Sequence, residues 1–109
     1  MDKNPNEMTE AEQMAAVKQD PLNIRYIPEP TEAVQMEAVK YFGNNIEFIR
    51  EPTEAVQMAA VEQDTLNVQY IKNPTEAVQM YVIDQDPADI RFIKNPTEAV
   101  QVLAKVIGK

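Results

Sequence analysis

The chain has 109 residues, 44% of them hydrophobic and 26% charged, which is ordinary for a single globular domain. It contains neither cysteine nor histidine, which excludes disulfides, thiol nucleophiles, imidazole bases and the usual zinc or copper sites. The net charge of −8 argues against direct binding to nucleic acid, and no apolar run suits a membrane span or a signal peptide.

The dominant pattern in the sequence is an internal repeat of 22 residues. The string Pro-Thr-Glu-Ala-Val-Gln begins at Pro30, Pro52, Pro74 and Pro96, and a degenerate copy begins at Met8. We therefore expect an N-terminal tail (1–7) and one repeat domain (8–109), and we number repeat positions 1 to 22 within each unit. The units span 8–29, 30–51, 52–73, 74–95 and a shortened 96–109.

Each unit predicts two helices in chain order. At Asn73-Pro74-Thr75-Glu76, Asn suits the N-cap, Pro the first helical position, and Glu the closing of a capping box. This first helix should run for about 11 to 12 residues. A second start follows at Asp20, Asp64 and Asp86. The helix that begins there is short enough to be a 3₁₀-helix, and the proline of the next unit ends it.

The apolar positions predict how the units assemble. Positions 10, 17 and 20 are Val or Ile in all four full units. A single unit cannot bury these side chains alone, whereas a stack of units forms one continuous core. We therefore predict an all-α fold, a right-handed α-solenoid of about four and a half two-helix units with about nine helices. No unit shows the alternating pattern of strands, which disfavours β-propellers and β-helices.

Two polar positions do not vary between units. Position 6 is always Gln, at Gln13, Gln35, Gln57, Gln79 and Gln101. We expect these amides to satisfy backbone groups at the turns or to form a ladder between units, and the alternative is a row of amides for a polymer ligand. Position 3 is always Glu, at Glu10, Glu32, Glu54, Glu76 and Glu98. We assign these carboxylates to the helix N-termini and not to a metal or catalytic site.

Function in such an array is expected where units depart from the repeat. In the second unit, Tyr41-Phe42-Gly43-Asn44-Asn45 replaces the Gln-Asp-Pro-Leu-Asn of the first. The two aromatics are either an exposed hot spot, or Phe42 packs back into the space of the absent leucine. Position 19 alternates between Tyr and Phe, at Tyr26, Phe48, Tyr70 and Phe92, and we interpret this row as the outer wall of the core.

The fifth unit is apolar where the other units are polar. Leu103, Val106 and Ile107 occupy positions 8, 11 and 12, which form the variable face of the first helix in every unit. Two interpretations lead: the last helix rotates to plug the end of the core, or these residues form a dimer contact. A contact with a different protein is the third.

The repeat elements Glu-Ala-Val-Gln-Met-Ala-Ala-Val and Asn-Ile-Arg-Tyr-Ile resemble short α-helical tandem repeats of bacterial and phage proteins whose function is unassigned. The resemblance covers residues 8–109, and the alternation of long and very short helices is similar in plan to variant leucine-rich repeats. Neither resemblance carries a catalytic motif. The phage association implies that a small acidic protein of this kind could act as an anti-defence inhibitor such as an anti-CRISPR protein.

The sequence therefore predicts a non-enzymatic, cytoplasmic protein-binding module without cofactor, metal or membrane contact. The residues expected to bind the protein partner are Tyr41, Phe42, Glu62, Tyr81 and Asp84, and homodimerisation is expected through the C-terminal helix. The alternative is an acidic inhibitor that mimics nucleic acid and blocks a basic nucleic-acid channel on its target.

Overall fold

The computed structural model describes residues 4–108, so the start of the predicted tail (1–3) and residue 109 lie outside it. Within the described residues the chain forms five α-helices and five 3₁₀-helices, and no strand. The α-helices are α1 (Glu10–Gln19), α2 (Glu32–Tyr41), α3 (Glu54–Gln63), α4 (Glu76–Gln85) and α5 (Glu98–Ile107). The 3₁₀-helices are η1 (Pro5–Glu7), η2 (Pro21–Tyr26), η3 (Gly43–Phe48), η4 (Thr65–Tyr70) and η5 (Pro87–Phe92).

The elements pack in chain order, which confirms the predicted all-α solenoid. Each of α1 to α4 contacts the next α-helix and the 3₁₀-helix of its own unit, and the 3₁₀-helices from η2 onward contact one another in series. The result is a rod with extents of 59 × 21 × 16 Å. The tenth helix, absent from the prediction, is η1, which lies within the predicted tail.

The predicted start of the first helix is wrong by two residues. The N-cap is Thr, not Asn, and the helix begins at Glu after the proline; Thr75, for example, accepts a hydrogen bond from the Val78 N–H at 3.3 Å. Each α-helix is therefore ten residues long. A capping box forms only in the first unit, where Glu12 lies three residues after Thr9, because later units have Val there.

The predicted starts of the short helices are confirmed. The side chains of Asp20, Asp64 and Asp86 each accept a hydrogen bond at 3.0 Å from the N–H two residues later. The four short helices, one in each full unit, are 3₁₀-helices of six residues. Since Phe42 replaces the capping Asp in the second unit, η3 has no side-chain cap.

The core runs along the whole rod and is almost entirely aliphatic. Val or Ile at positions 10, 17 and 20 is buried as predicted, with Ile90 as the half-buried exception. Asparagines at position 16 fasten the short helices of the first three units to their own α-helices. The amide Nδ2 of Asn23 donates to the Ala16 carbonyl at 2.9 Å, and that of Asn67 donates to the Ala60 carbonyl at 2.9 Å.

Candidate interaction surface

The glutamines at position 6 join each unit to the next. The side-chain oxygen of Gln57 accepts from the Thr75 N–H at 3.0 Å, and its Nε2 donates to the Pro52 carbonyl at 3.1 Å. Gln79 repeats both bonds one unit later, to Thr97 and Pro74. These amides are buried and occupied. The structural interpretation of the glutamine column is therefore confirmed, and the side chains form a relay of hydrogen bonds along the array.

The Thr that joins the relay also caps its own helix. The Thr N–H donates to the preceding unit's glutamine, and the Thr hydroxyl accepts from the N–H of the third residue of its own helix. If the helix began at the proline, as predicted, the Thr would lie inside the first turn. Its hydroxyl could not then act as the N-cap of that helix. From the second unit onward the helix cap and the contact between units thus meet at the same Thr, whereas Thr9 caps α1 with a capping box alone.

The glutamates at position 3 form an exposed row at the first residue of each α-helix. This is where the helix dipole favours negative charge. Glu10 also accepts a hydrogen bond from the Thr31 hydroxyl at 2.5 Å. Between described residues an ion pair forms at Lys40–Glu37, at 3.6 Å, and none forms at these five carboxylates. Their negative charge is therefore presented to solvent.

The most exposed aromatic side chain of the described residues is Phe42, which directly follows Tyr41 at the end of α2. Phe42 is 66% exposed and Tyr41 is 57% exposed, and the ammonium of Lys40 lies 5.2 Å from the centre of the Tyr41 ring. Phe42 therefore does not pack back into the space of the absent leucine. The leucines that the first and third units have in place of Asn44, Leu22 and Leu66, are themselves exposed. The space of the absent leucine is therefore not part of the core.

The backbone under this aromatic pair is held in place from the next unit. The side-chain oxygen of Gln63 accepts from the Gly43 N–H at 2.7 Å, and its Nε2 donates to the carbonyls of Val39 and Lys40 at 2.6 and 3.1 Å. Gly43 is buried, and a Cβ there would collide with Nδ2 of Asn67. The two rings are thus exposed on a fixed backbone.

The other predicted partner-binding residues are spread over the next two units. Glu62 and Asp84 are exposed near the ends of α3 and α4. Tyr81 is half-buried and packs against the core. The structure therefore places Tyr41 and Phe42 together and adds separate acidic side chains along the same variable face.

The C-terminal helix stays in register with the other units. Val100 is fully buried, whereas Val106 and Ile107 are 63% and 40% exposed, and Leu103 is half-buried. The interpretation that α5 rotates to plug the end of the core is therefore wrong. Since its core-facing side is already packed, α5 presents an apolar patch to solvent, defined by Leu103, Val106 and Ile107.

The aromatic row at position 19 is only partly a core wall. Tyr70 and Phe92 pack against the core as expected, but Tyr26 and Phe48 are exposed, and the guanidinium of Arg25 lies 4.8 Å from the centre of the Tyr26 ring. Sequence reasoning missed the bases beside this row. Positions 17 to 22 carry five basic and three acidic residues, against 10 and 18 in the whole chain.

Residues at positions 17 to 22 of the first three units line much of an open groove of about 560 Å³. Its basic lining residues are Arg25, Arg50 and Lys72, and Glu47 and Glu51 lie among them. The groove is thus mixed in charge, and its composition does not select one kind of ligand. The signal for it was present in the sequence, because positions 18 and 21 carry all of these bases.

Two kinds of site are not found in the described part of the chain. No group of three or more acidic residues is arranged to hold a metal ion within residues 4–108. None of the described helices has the length and apolar character required to cross a membrane. Comparisons with protein-family models, curated proteins and solved structures find no match to this chain.

Proposed function

We propose that this chain is a non-enzymatic interaction module whose main anchor for a protein partner is the aromatic pair Tyr41 and Phe42. The observation that carries this proposal is that Phe42 is two-thirds exposed on a backbone held by Gln63 and by the buried Gly43. Exposed aromatic side chains are the residues that most often dominate binding energy at interfaces. A fixed backbone lowers the entropy lost on binding.

The surroundings of the pair indicate the chemistry of the partner. Glu62 and Asp64 follow one unit later at the same edge, and Asp20 precedes it by one unit, all exposed. Lys40 lies beside the Tyr41 ring, so the charge around the anchor is predominantly and not entirely acidic, and a predominantly acidic rim favours a partner surface of the opposite sign. The proposed partner therefore has an apolar pocket for Phe42 with basic side chains at its rim.

The test compares two exposed aromatics on different parts of the molecule. Wild type, Phe42→Ala and Tyr26→Ala are used as baits, and circular dichroism verifies that each is folded. Partners that wild type and Tyr26→Ala retain should be lost by Phe42→Ala, and affinity for the purified partner should fall about 30-fold or more. A Phe42→Ala variant that is folded and binds the partner as wild type does would contradict the proposal.

We propose in addition that the apolar patch on α5 joins two copies of the chain. Val106 and Ile107 are exposed, Leu103 is half-buried, and a symmetric pair would cover this patch on both chains. Analytical ultracentrifugation should show a dimer for wild type and a monomer for Leu103→Glu. Circular dichroism should show the same helical spectrum for both. A wild type that is monomeric at high micromolar concentration would refute this contact.

The second candidate function is an acidic inhibitor that occupies a basic nucleic-acid channel, as an anti-CRISPR or other anti-defence protein would. It is favoured by the exposed glutamates at position 3, which form no ion pairs with described residues. Binding would then weaken steeply with salt, and Glu62→Gln with Asp84→Asn would weaken it at low salt. Binding that depends on Phe42 and hardly on salt favours the first proposal.

A further inference from the structure

Every full unit after the first places its 3₁₀-helix in a groove of the same construction. One wall is the 3₁₀-helix of the preceding unit, and the other is the α-helix of its own unit. In the third unit the Asn67 amide reaches the Ala60 carbonyl at 2.9 Å, beside Gly43 of the preceding unit, and Val68 is fully buried. An asparagine followed by a β-branched aliphatic residue is therefore what this kind of groove holds.

A fourth groove of this construction lies at the C-terminal end of the rod. One wall is formed by η5 and its capping residue, the other by α5 and Gly108, and the volume is about 510 Å³. The lining residues are Asp86, Pro87, Ala88, Ile90, Gln101, Ala104, Lys105 and Gly108. None of the residues 4–108 occupies it. Ile90 accordingly stays half-buried, while Ile24, Ile46 and Val68 at the same repeat position are fully buried.

The hydrogen-bonding groups of this groove match those of the occupied ones. The Ala104 carbonyl accepts from the Gly108 N–H at 2.9 Å, and a carbonyl oxygen has a second lone pair. In the third unit the equivalent carbonyl, of Ala60, accepts both from the Asp64 N–H and from the Asn67 amide. Ala104 is thus ready for the same second donor.

The residue at position 14 of one unit lies below the side chain at position 16 of the next unit, and it decides whether that side chain is Asn or Asp. Asp89 occurs where Thr65 of the preceding unit donates a hydroxyl to it at 3.0 Å. In the second unit the residue below is Pro21, and there Asn45 donates to the Ala38 carbonyl at 3.0 Å. The end groove has a proline at this place, Pro87, which has no N–H or hydroxyl to donate. The groove therefore selects Asn over Asp.

We propose that the end groove binds a short segment of another protein in which a 3₁₀ turn carries Asn followed by Ile or Val. The Asn amide donates to the Ala104 carbonyl, and the aliphatic side chain packs on Ile90 and Ala104. The groove continues an interface that the molecule itself makes between successive units. It lies on the side of α5 opposite to the apolar patch, and it is independent of the aromatic pair in the second unit.

The test uses a peptide with the sequence of residues 20–27, Asp-Pro-Leu-Asn-Ile-Arg-Tyr-Ile, titrated into the ¹⁵N-labelled full chain. Saturable shift changes should appear at Ile90, Ala104, Lys105 and Gly108. A peptide with Asp in place of Asn should bind at least about tenfold more weakly. Absence of saturation, equal affinity of the two peptides, or shift changes confined to other units would overturn the proposal.

A variant of the protein sharpens the same test. Position 10 is Val or Ile in every full unit, and Lys105 places a charge there. Lys105→Val should tighten binding of the Asn peptide about three- to tenfold, because no charge is then desolvated. The control Lys18→Val lies on an exposed face and should leave affinity unchanged. Unchanged or weaker binding by Lys105→Val would overturn the assignment of the peptide to this groove. A peptide that separates the protein's own oligomers would overturn the assignment of the groove to a different protein.

Discussion

The joints inside the array and the C-terminal end of the array use the same residues with different results. Inside, Gln57 is buried and bridges two backbone groups of neighbouring units. At the end, Gln101 keeps its bond to the Pro96 carbonyl at 3.0 Å but is exposed, and no described N–H donates to its oxygen. The glutamine at position 6 thus joins two units only where a following unit supplies the Thr N–H.

The N-terminal end is closed by a different device. The Thr9 N–H has no preceding glutamine among the described residues, and the carboxylate of Glu12 accepts it at 2.8 Å instead. Later units have Val at this position, since the preceding glutamine already serves the Thr. Within residues 4–108 the array therefore has one end whose backbone donor is satisfied and one end where no described group donates to the Gln101 oxygen or fills the groove.

The largest difference between interior and end is expected at position 10. Val61 is 1% exposed in the interior, whereas Lys105 is exposed at the end. Val61→Lys should lower the free energy of unfolding by about 3–5 kcal/mol, because an unpaired charge would be buried. Lys105→Val should change it by less than about 1 kcal/mol. Urea unfolding followed by circular dichroism measures both, and equal small effects would mean that the two positions do not differ.

A smaller difference is expected in the glutamine relay. Gln57→Leu leaves the Thr75 N–H and the Pro52 carbonyl without partners in a buried place, which should cost about 2–4 kcal/mol. Gln101→Leu, the same change at the end, loses one exposed bond and should cost less than about 1 kcal/mol. Similar losses of unfolding free energy from the two variants would show that the relay does not hold the units together.

The smallest effect is expected at the N-terminal end. Glu12→Val, which installs the residue of the later units, removes the acceptor of the Thr9 N–H and should cost about 1 kcal/mol. The matched change Glu62→Val affects an exposed glutamate without a capping role and should stay within about 0.5 kcal/mol. If both variants unfold at the same urea concentration, the capping box is not what closes this end.

The sequence predicts much of this fold because the repeat shows which positions remain apolar. The Asp caps, the short helices and the aliphatic core follow from local rules, and they are confirmed. The Thr cap is not predicted, because local rules assign the cap to the Asn two residues earlier; the Thr N–H donates to a glutamine 18 residues earlier. The backbone beside Phe42 is held by Gln63, 21 positions later, and nothing in sequence distinguishes Gln63 from Gln19 and Gln85 at the same repeat position. The end groove is likewise visible only when the units are stacked.

The most direct test of the relay is native-state hydrogen exchange at the Thr amides in wild type, Gln57→Leu and Gln101→Leu. In wild type, Thr31, Thr53, Thr75 and Thr97 should exchange slowly. Gln57→Leu should accelerate exchange at Thr75 more than at Thr31, and Gln101→Leu should leave all four as in wild type. Fast exchange at Thr75 in wild type, or the same pattern in both variants, would contradict the claim that each glutamine joins its unit to the next.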